Sequence, residues 1–466
     1  MKYIIMADGK ETRWSNCAGI HKWQIKVDNE TLLERTARIV KENDPDASVI
    51  VTSHFENLRV KYAEIYAPKN NKIEIDRFTE ELIEENSVFL YGDCFYTEET
   101  LKKIISLSND SLLFFGSDKH IFAIKVHNAE LFRKHISIVK ELFLNGKIKS
   151  CIGWQVYRSF QGLELEKDQI ANDFILIDDE TRDFNNLYDY YEFEKDKPVV
   201  SDNRAIAFFD SGVGGLTCVK AFIKDHPNES ILYFGDSLRA PYGDRDQEEI
   251  KKFVEEISEY LISQNIKLLI VACNTASSLS IPFLRQKYLD TPIIGMIDIT
   301  AKYISNNYND NNVGIIATSV TKESGVYSTK LREFGCTKDI PVLACPKFVP
   351  LIESGIHDGP QAEAVLKSEL DEFIVENKID VLVLGCTHFP FLRPSIEKLY
   401  PQLECLDPSD IVAKGVKELM DTRIIAENIN DEVHHKYCTS KVTDAFIDAV
   451  KNISGNPDQT IELIKF

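Results

Sequence analysis

Apolar residues along the chain gather into short unbroken runs, separated by longer stretches in which they recur every third or fourth position. Unbroken runs predict strands buried on both faces, and the recurring spacing predicts helices packed on them. In residues 1–195 the runs are Tyr3 to Met6, Ala47 to Thr52, Ser87 to Tyr91, Ser111 to Phe115 and Ile121 to Val126. A polar stretch with Pro198, from Lys195 to Asn203, then reads as a solvated linker. Beyond it, in residues 204–466, the runs are Ala205 to Phe209, Ser230 to Phe234, Leu268 to Ala272, Ile293 to Ile297, Val313 to Ala317, Val342 to Ala344 and Val381 to Leu384. Such alternation of strand and helix predicts two α/β domains, the second with parallel sheets.

Three runs of the second series lead into loops of small polar residues: Asp210-Ser211-Gly212, Cys273-Asn274-Thr275 and Cys386-Thr387-His388. Ligands of open α/β sheets bind at the carboxyl ends of strands, so these loops are expected to face one cleft. The segment Ala272-Cys273-Asn274-Thr275 also echoes Gly385-Cys386-Thr387-His388. That echo predicts two pseudo-equivalent lobes, with one cysteine on each side of a bound ligand.

Composition narrows the function classes. A chain of 466 residues exceeds what one core serves, and its 44% hydrophobic and 27% charged residues exclude a largely disordered protein. Its net charge of −20, with no stripe of Lys and Arg, excludes nucleic acid as a partner. The first apolar run ends at Asp8, too short for a signal peptide, and no run approaches membrane-spanning length. A cytoplasmic protein with no membrane partner is expected. The ten cysteines show neither a C-x-x-C pair nor zinc spacing, and read as reduced thiols.

Inverting a carbon that bears an acidic hydrogen, without redox chemistry, requires removing a proton from one face and returning one to the other. One group must then be deprotonated while the other is protonated, which suits two thiols, each with its own tuner. Cys273 and Cys386 each open a loop before a predicted helix, where free N–H groups and the helix dipole favour a thiolate. Asp210 is the natural assistant of Cys273, and His388, two residues past Cys386, is placed to relay its proton. The remaining cysteines, Cys17 among them, lack such surroundings and read as structural.

Six segments carry a family resemblance in their order along the chain. They are Ala207 to Thr217, Tyr233 to Gly243, Ala272 to Ser277, Ala317 to Thr321 with Ser324 and Tyr327, Ala344 to Gly355, and Gly385 to Pro390. Together they resemble bacterial glutamate racemases. The resemblance implies that Cys273 and Cys386 exchange the protons, Cys273 acting on the D-isomer and Cys386 on the L-isomer. It implies that Asp210, Ser211, Pro241, Tyr242, Gly243, Asn274, Thr275, Thr318, Thr321, Thr387 and His388 bind or orient glutamate, with Glu353 a further acid near His388. No cofactor is implied for this domain, and a homodimer is compatible with it. The D-glutamate would serve peptidoglycan or another cell-surface polymer. One departure is Val320, where these racemases commonly carry glycine; it implies a reshaped distal carboxylate pocket and leaves aspartate as the rival substrate.

The first domain opens with a strand, then Ala7-Asp8-Gly9-Lys10-Glu11-Thr12-Arg13, His21-Lys22 and Leu32 to Thr36. This start resembles the MobA-like nucleotidyltransferases. The resemblance implies Mg²⁺ and a nucleoside triphosphate as cofactor and partner, with Gly9, Arg13 and Lys22 on the nucleotide and Asp93 and Asp183 on the metal. Glu11 replaces the family's second glycine, and His21 its proline. Two alternatives follow: a bifunctional protein in which Mg²⁺-dependent nucleotidyl transfer activates a building block for a surface polymer and the racemase supplies a D-amino acid, or a retained fold that only binds or docks.

Overall fold

A computed structural model of the chain describes residues 1–9, 19–429 and 432–466. It divides chiefly at Tyr190/Tyr191 into two compact units. Among the described residues no helix is long and apolar enough to cross a membrane.

The first unit contains β1 (Lys2–Met6), β2 (Lys26–Val27), β3 (Glu30–Thr31), β4 (Ser48–Thr52), β5 (Glu64–Tyr66), β6 (Ser87–Tyr91), β7 (Cys94–Phe95), β8 (Leu112–Gly116), β9 (Ile121–Val126), β10 (Phe174–Leu176) and β11 (Arg182–Asp183). One mixed sheet runs in the order β10-β8-β9-β6-β1-β4-β5, with β9 antiparallel to both of its neighbours. Central β1 lies between parallel β4 and β6, so Ile4 and Ile5 are fully buried, as their unbroken apolar run demands. The helix Leu32–Asn43 starts on a reciprocal cap: Thr31 Oγ1 accepts the Glu34 N–H at 3.2 Å and Glu34 accepts the Thr31 N–H at 3.3 Å. Lys125, fully buried in β9, donates to the carbonyls of Ile104, Ile105 and Leu107 and so closes the end of the helix Glu98–Ser106. Phe78, Phe89, Phe114, Phe132 and Tyr157 fill the core beside the sheet.

The second unit contains β12 (Ile206–Asp210), β13 (Ile231–Gly235), β14 (Leu268–Val271), β15 (Ile293–Gly295), β16 (Val313–Ala317), β17 (Val342–Ala344), β18 (Val381–Gly385), β19 (Glu404–Leu406), β20 (His435–Thr439) and β21 (Ile461–Leu463). Two all-parallel sheets result, β15-β14-β12-β13-β20-β21 and β17-β16-β18-β19. Four successive strands of each lobe follow the same order, second-first-third-fourth. Cys273 follows the third strand of the first lobe, and Cys386 the third of the second. The chain then returns to extend the first sheet with β20 and β21, a return that the apolar runs did not announce.

Two expectations change. Asp210 is the last residue of β12 rather than the first of a loop, so its side chain is fixed by the sheet. Residues 195–203 are not a solvated linker but are bound along the second unit. The Arg423 guanidinium donates to the carbonyls of Glu194, Lys195 and Lys197, Lys267 Nζ to Asp202 O at 2.7 Å, and the Ile429 N–H to Ser201 Oγ at 3.1 Å. Lys267 is itself buried against Glu229 at 2.7 Å. Removing that ammonium from water is tolerable only with such partners, and the Glu229 carboxylate and the carbonyls of Asp202 and Ala426 supply them.

Candidate active site

Asp210 is wholly buried at the end of β12. Its carboxylate accepts the Gly212 N–H at 3.0 Å and, from the other lobe, the Thr387 hydroxyl at 3.3 Å. Cys273 follows β14 and caps the helix Asn274–Lys287: the Ala276 N–H points at Sγ from 3.5 Å, and the thiol lies 3.6 Å from Ser211 Oγ. The lobes meet through hydroxyls as well. Thr275 Oγ1 is 3.0 Å from Thr318 Oγ1, which is 3.0 Å from Thr321 Oγ1, and the Tyr327 hydroxyl donates to Asn274 Oδ1 at 3.3 Å. The Asn274 amide nitrogen, though buried, has no hydrogen-bond partner among the described residues.

Close approach of the lobes explains two glycines. A Cβ on Gly214 would stand 2.6 Å from Thr387 Oγ1, and one on Gly243 would stand 3.1 Å from Thr318 Cγ2. The first would force Thr387 or its lobe to shift, and the second would ask Thr318 to give by a few tenths of an ångström.

Electrostatics differ from the expectation of two readily ionised thiols. Burial above all, and then the charge of Asp210, pushes the Cys273 thiol up to about 11, while the Ala276 N–H and Ser211 act the other way. Burial likewise dominates at Cys386 and raises it further; the His388 and Phe389 backbone N–H groups oppose, and the charges of Cys273 and Asp210 add to the rise. Desolvation outweighs the helix dipole at the first thiol. At the second there is no α-helix directly ahead: Cys386 leads into the 3-10 turn Phe389–Leu392, where Pro390 removes a donor, and only then into the helix Arg393–Leu399.

His388 Nδ1 stands 3.9 Å from Cys386 Sγ, and Nε2 stands 3.7 Å from Glu353 Oε1. Glu353 is 45% exposed and meets the imidazole, not the thiol. Tyr242 is buried with its hydroxyl 2.5 Å from Asp236. Asp236, wholly buried, also accepts from Arg239 at 2.6 Å and from Ser440 at 2.6 Å, which anchors the Tyr242 segment to the first lobe. Sequence reasoning did not single out Asp236; its signal was an acid directly after a strand, within a segment already chosen for its neighbours. Pro241 is exposed, and Gly243 lies against Thr318. Val320 packs in the apolar cluster of Tyr242, Cys273, Ala276 and Ile281, while its neighbours Thr318 and Thr321 keep the hydroxyl chain.

In the first unit, Gly9 follows β1 and Lys22 Nζ lies 3.7 Å from Asp93. Asp183, opposite Cys94 in the β7–β11 pair, is 3.1 Å from His120 and accepts the Asn185 amide at 3.0 Å. Burial raises its pKa, but His120 and Lys22 more than offset this and hold it below the usual carboxylate range. Asp93 and Asp183 both bear on Cys94. Among the described residues no cluster of three or more His, Cys, Asp or Glu could hold a metal ion. Arg13, Glu11 and Cys17 lie outside the described residues.

Residues 216–416 match the family described as Asp/Glu/Hydantoin racemase. The glutamate racemase of Listeria monocytogenes serotype 4a (strain HCC23) is 37% identical over 263 residues, which span 56% of this chain and 98% of that one. That of Oceanobacillus iheyensis is 36% identical over 252 residues, 54% of this chain and 92% of its own. Among solved structures, the glutamate racemase of Francisella tularensis subsp. tularensis SCHU S4 in complex with D-glutamate is similar, with a TM-score of 0.52 and 31% identity over 56% of this chain and 98% of that one. The Thermus thermophilus glutamate racemase in complex with beta-chloro-D-alanine gives 0.51 and 32%, over 57% and 99%. Two parallel lobes closed over a buried acid and two buried thiols, with these relatives, define an amino-acid racemase. The chain belongs to the Asp/Glu racemase family, and its C-terminal part is a glutamate racemase domain.

Proposed function

We propose that the second unit interconverts L- and D-glutamate with two cysteines. Cys386 removes the α-proton of the L-isomer and Cys273 that of the D-isomer. In each direction the C–H bond breaks toward one sulfur, and the resulting carbanion takes a proton from the opposite thiol. The enzyme ends with its two protonation states exchanged. The observation that carries this reading is the pair of buried thiols on equivalent loops, both within electrostatic reach of Asp210. Burial and Asp210 keep the thiols protonated; an incoming α-ammonium counters the field of Asp210 and so favours a thiolate where a base is needed. The hydroxyls of Ser211, Thr275, Thr318, Thr321 and Thr387 and the Asn274 amide nitrogen, unpartnered among the described residues, suit the two carboxylates. His388 tunes Cys386, with Glu353 behind it. The D-glutamate supplies peptidoglycan or another cell-surface polymer.

Incubation with L-glutamate in D₂O tests this. Solvent deuterium at the α-carbon with loss of optical rotation is expected; exchange with L-aspartate alone would overturn the substrate.

For the first unit we propose binding of a nucleoside triphosphate with Mg²⁺. Its observation is the convergence of Lys22, Asp93 and Asp183 beside the ends of β1 and β6. Asp93 and Asp183 would hold the ion, with phosphate oxygens filling the rest of its shell. Mg²⁺ with CTP or UTP should raise the melting temperature. A melting curve that no triphosphate moves at millimolar concentration, while glutamate does stabilise the protein, would remove the reading.

A further inference from the structure

Arg77 ends the 3-10 turn Glu74–Arg77, between β5 and β6 of the first unit. Its side chain is only 12% exposed, and its guanidinium carbon lies 5.3 Å from the centroid of the Tyr91 ring. Nη2 stands 3.1 Å from where a Cβ on Gly9 would be, so the absence of a side chain there makes room for it. The same nitrogen meets Glu74 at 3.1 Å, an exposed partner three residues back. Nε is buried and has no hydrogen-bond partner among the described residues.

Gly9 follows β1 and Tyr91 ends β6, and these strands are parallel neighbours. The guanidinium therefore sits at the carboxyl ends of two adjacent strands, where open α/β sheets take their ligands. Lys22, nearly buried, reaches Asp93 only two residues past Tyr91. A guanidinium held from water with an idle N–H is unfavourable, and a solvated pair with Glu74 offsets little of that. Cation–π contact with Tyr91 accounts for the stacking of the plane but not for the idle donor. A planar fork of donors beside a glycine matches phosphate oxygens.

We propose that Arg77 is a phosphate-binding residue of the first unit, gripping the phosphates of a nucleoside triphosphate beside Gly9. The proposal rests on the nucleotide reading given above and extends it to a residue outside the glycine-containing loop.

Calorimetric titration of the full-length protein decides the matter, using Mg²⁺ with CTP, UTP or pyrophosphate on wild type, Arg77→Gln and Arg77→Lys. Wild type should bind a triphosphate and, more weakly, pyrophosphate. Arg77→Gln should weaken both by about tenfold or more, and Arg77→Lys by less, since it keeps the charge and loses the fork. Racemisation by both variants should match that of wild type. Equal triphosphate affinity in wild type and Arg77→Gln would overturn the role of Arg77 and leave the nucleotide reading intact. Failure of wild type to bind any of the three probes would remove both. Should Arg77→Gln lose the first unit's melting transition, Arg77→Lys decides alone: weaker binding at an unchanged melting temperature supports the proposal, and wild-type affinity overturns it.

Discussion

Cys273 and Cys386 occupy the same place in two lobes of the same topology, yet their surroundings are unlike. Cys273 caps a 14-residue helix, takes the Ala276 N–H at 3.5 Å and lies near Ser211. Cys386 opens a four-residue 3-10 turn and has an imidazole at 3.9 Å with an exposed glutamate behind it. Backbone N–H groups favour a thiolate at both, and Cys386 has in addition a side chain beside it that can itself carry a proton. The duplicated topology thus sets the opposition of the two groups, while local sequence sets how each is tuned. Burial raises Cys386 more than Cys273, so the thiol with the imidazole is the one that needs the greater help.

The largest effects should come from removing either sulfur. Cys273→Ser and Cys386→Ser should each lower kcat for racemisation by at least about 10³-fold with little change in folding, because a serine hydroxyl is far too weak an acid to share the proton. Near-normal turnover by either would end the two-base account. His388→Asn should be smaller and one-sided. A fall of about 10²-fold in kcat from L-glutamate, beyond that from D-glutamate in initial rates at saturating substrate, would mark the imidazole as the tuner of Cys386. Equal effects in both directions, with an equal rise in KM, would make it a binding residue instead.

The thiol environments also predict a stability difference. The Cys273 thiol ionises at 9.0 in its ordinary state and at about 11 when folded, so the stability it contributes is whole below pH 9. That contribution falls as the unfolded chain ionises, and is lost as pH rises through 11. Across this window wild type should lose about 3 kcal/mol more than Cys273→Ser in urea unfolding. Parallel pH profiles would contradict the buried, protonated thiol. Smallest of all is Glu353→Gln: its carboxylate is half exposed and 3.7 Å from the imidazole, so kcat/KM should fall by less than about tenfold.

Much of this contrast could be read from residues. Unbroken apolar runs located β6, β9 and β16 at their observed limits, because strands buried on both faces leave no alternation to blur; the run of β17 also matched, although its residues are only half-buried. The cysteine loops stood out by their matching strand-loop-helix pattern. What could not be read depended on distant partners. β20 begins with His435 and Lys436, and only its place beside β13 makes it a strand. The binding of residues 195–203 depends on Arg423 and Lys267, far away in sequence. Val320 stood out because the racemases this chain resembles commonly carry glycine there, and the apolar cluster it joins comes from the other lobe, which no local stretch of sequence shows. The desolvation that dominates both thiols is a property of the closed lobes, and no loop sequence carries it.

Elimination from the two enantiomers of 3-chloroglutamate tests the division of labour most directly, since losing chloride after deprotonation needs only one base. Cys386→Ser, left with Cys273, should release chloride from the D-analogue and not from the L-analogue, and Cys273→Ser should do the reverse. Release from both enantiomers by both variants, or from neither by either, would contradict one thiol serving each face.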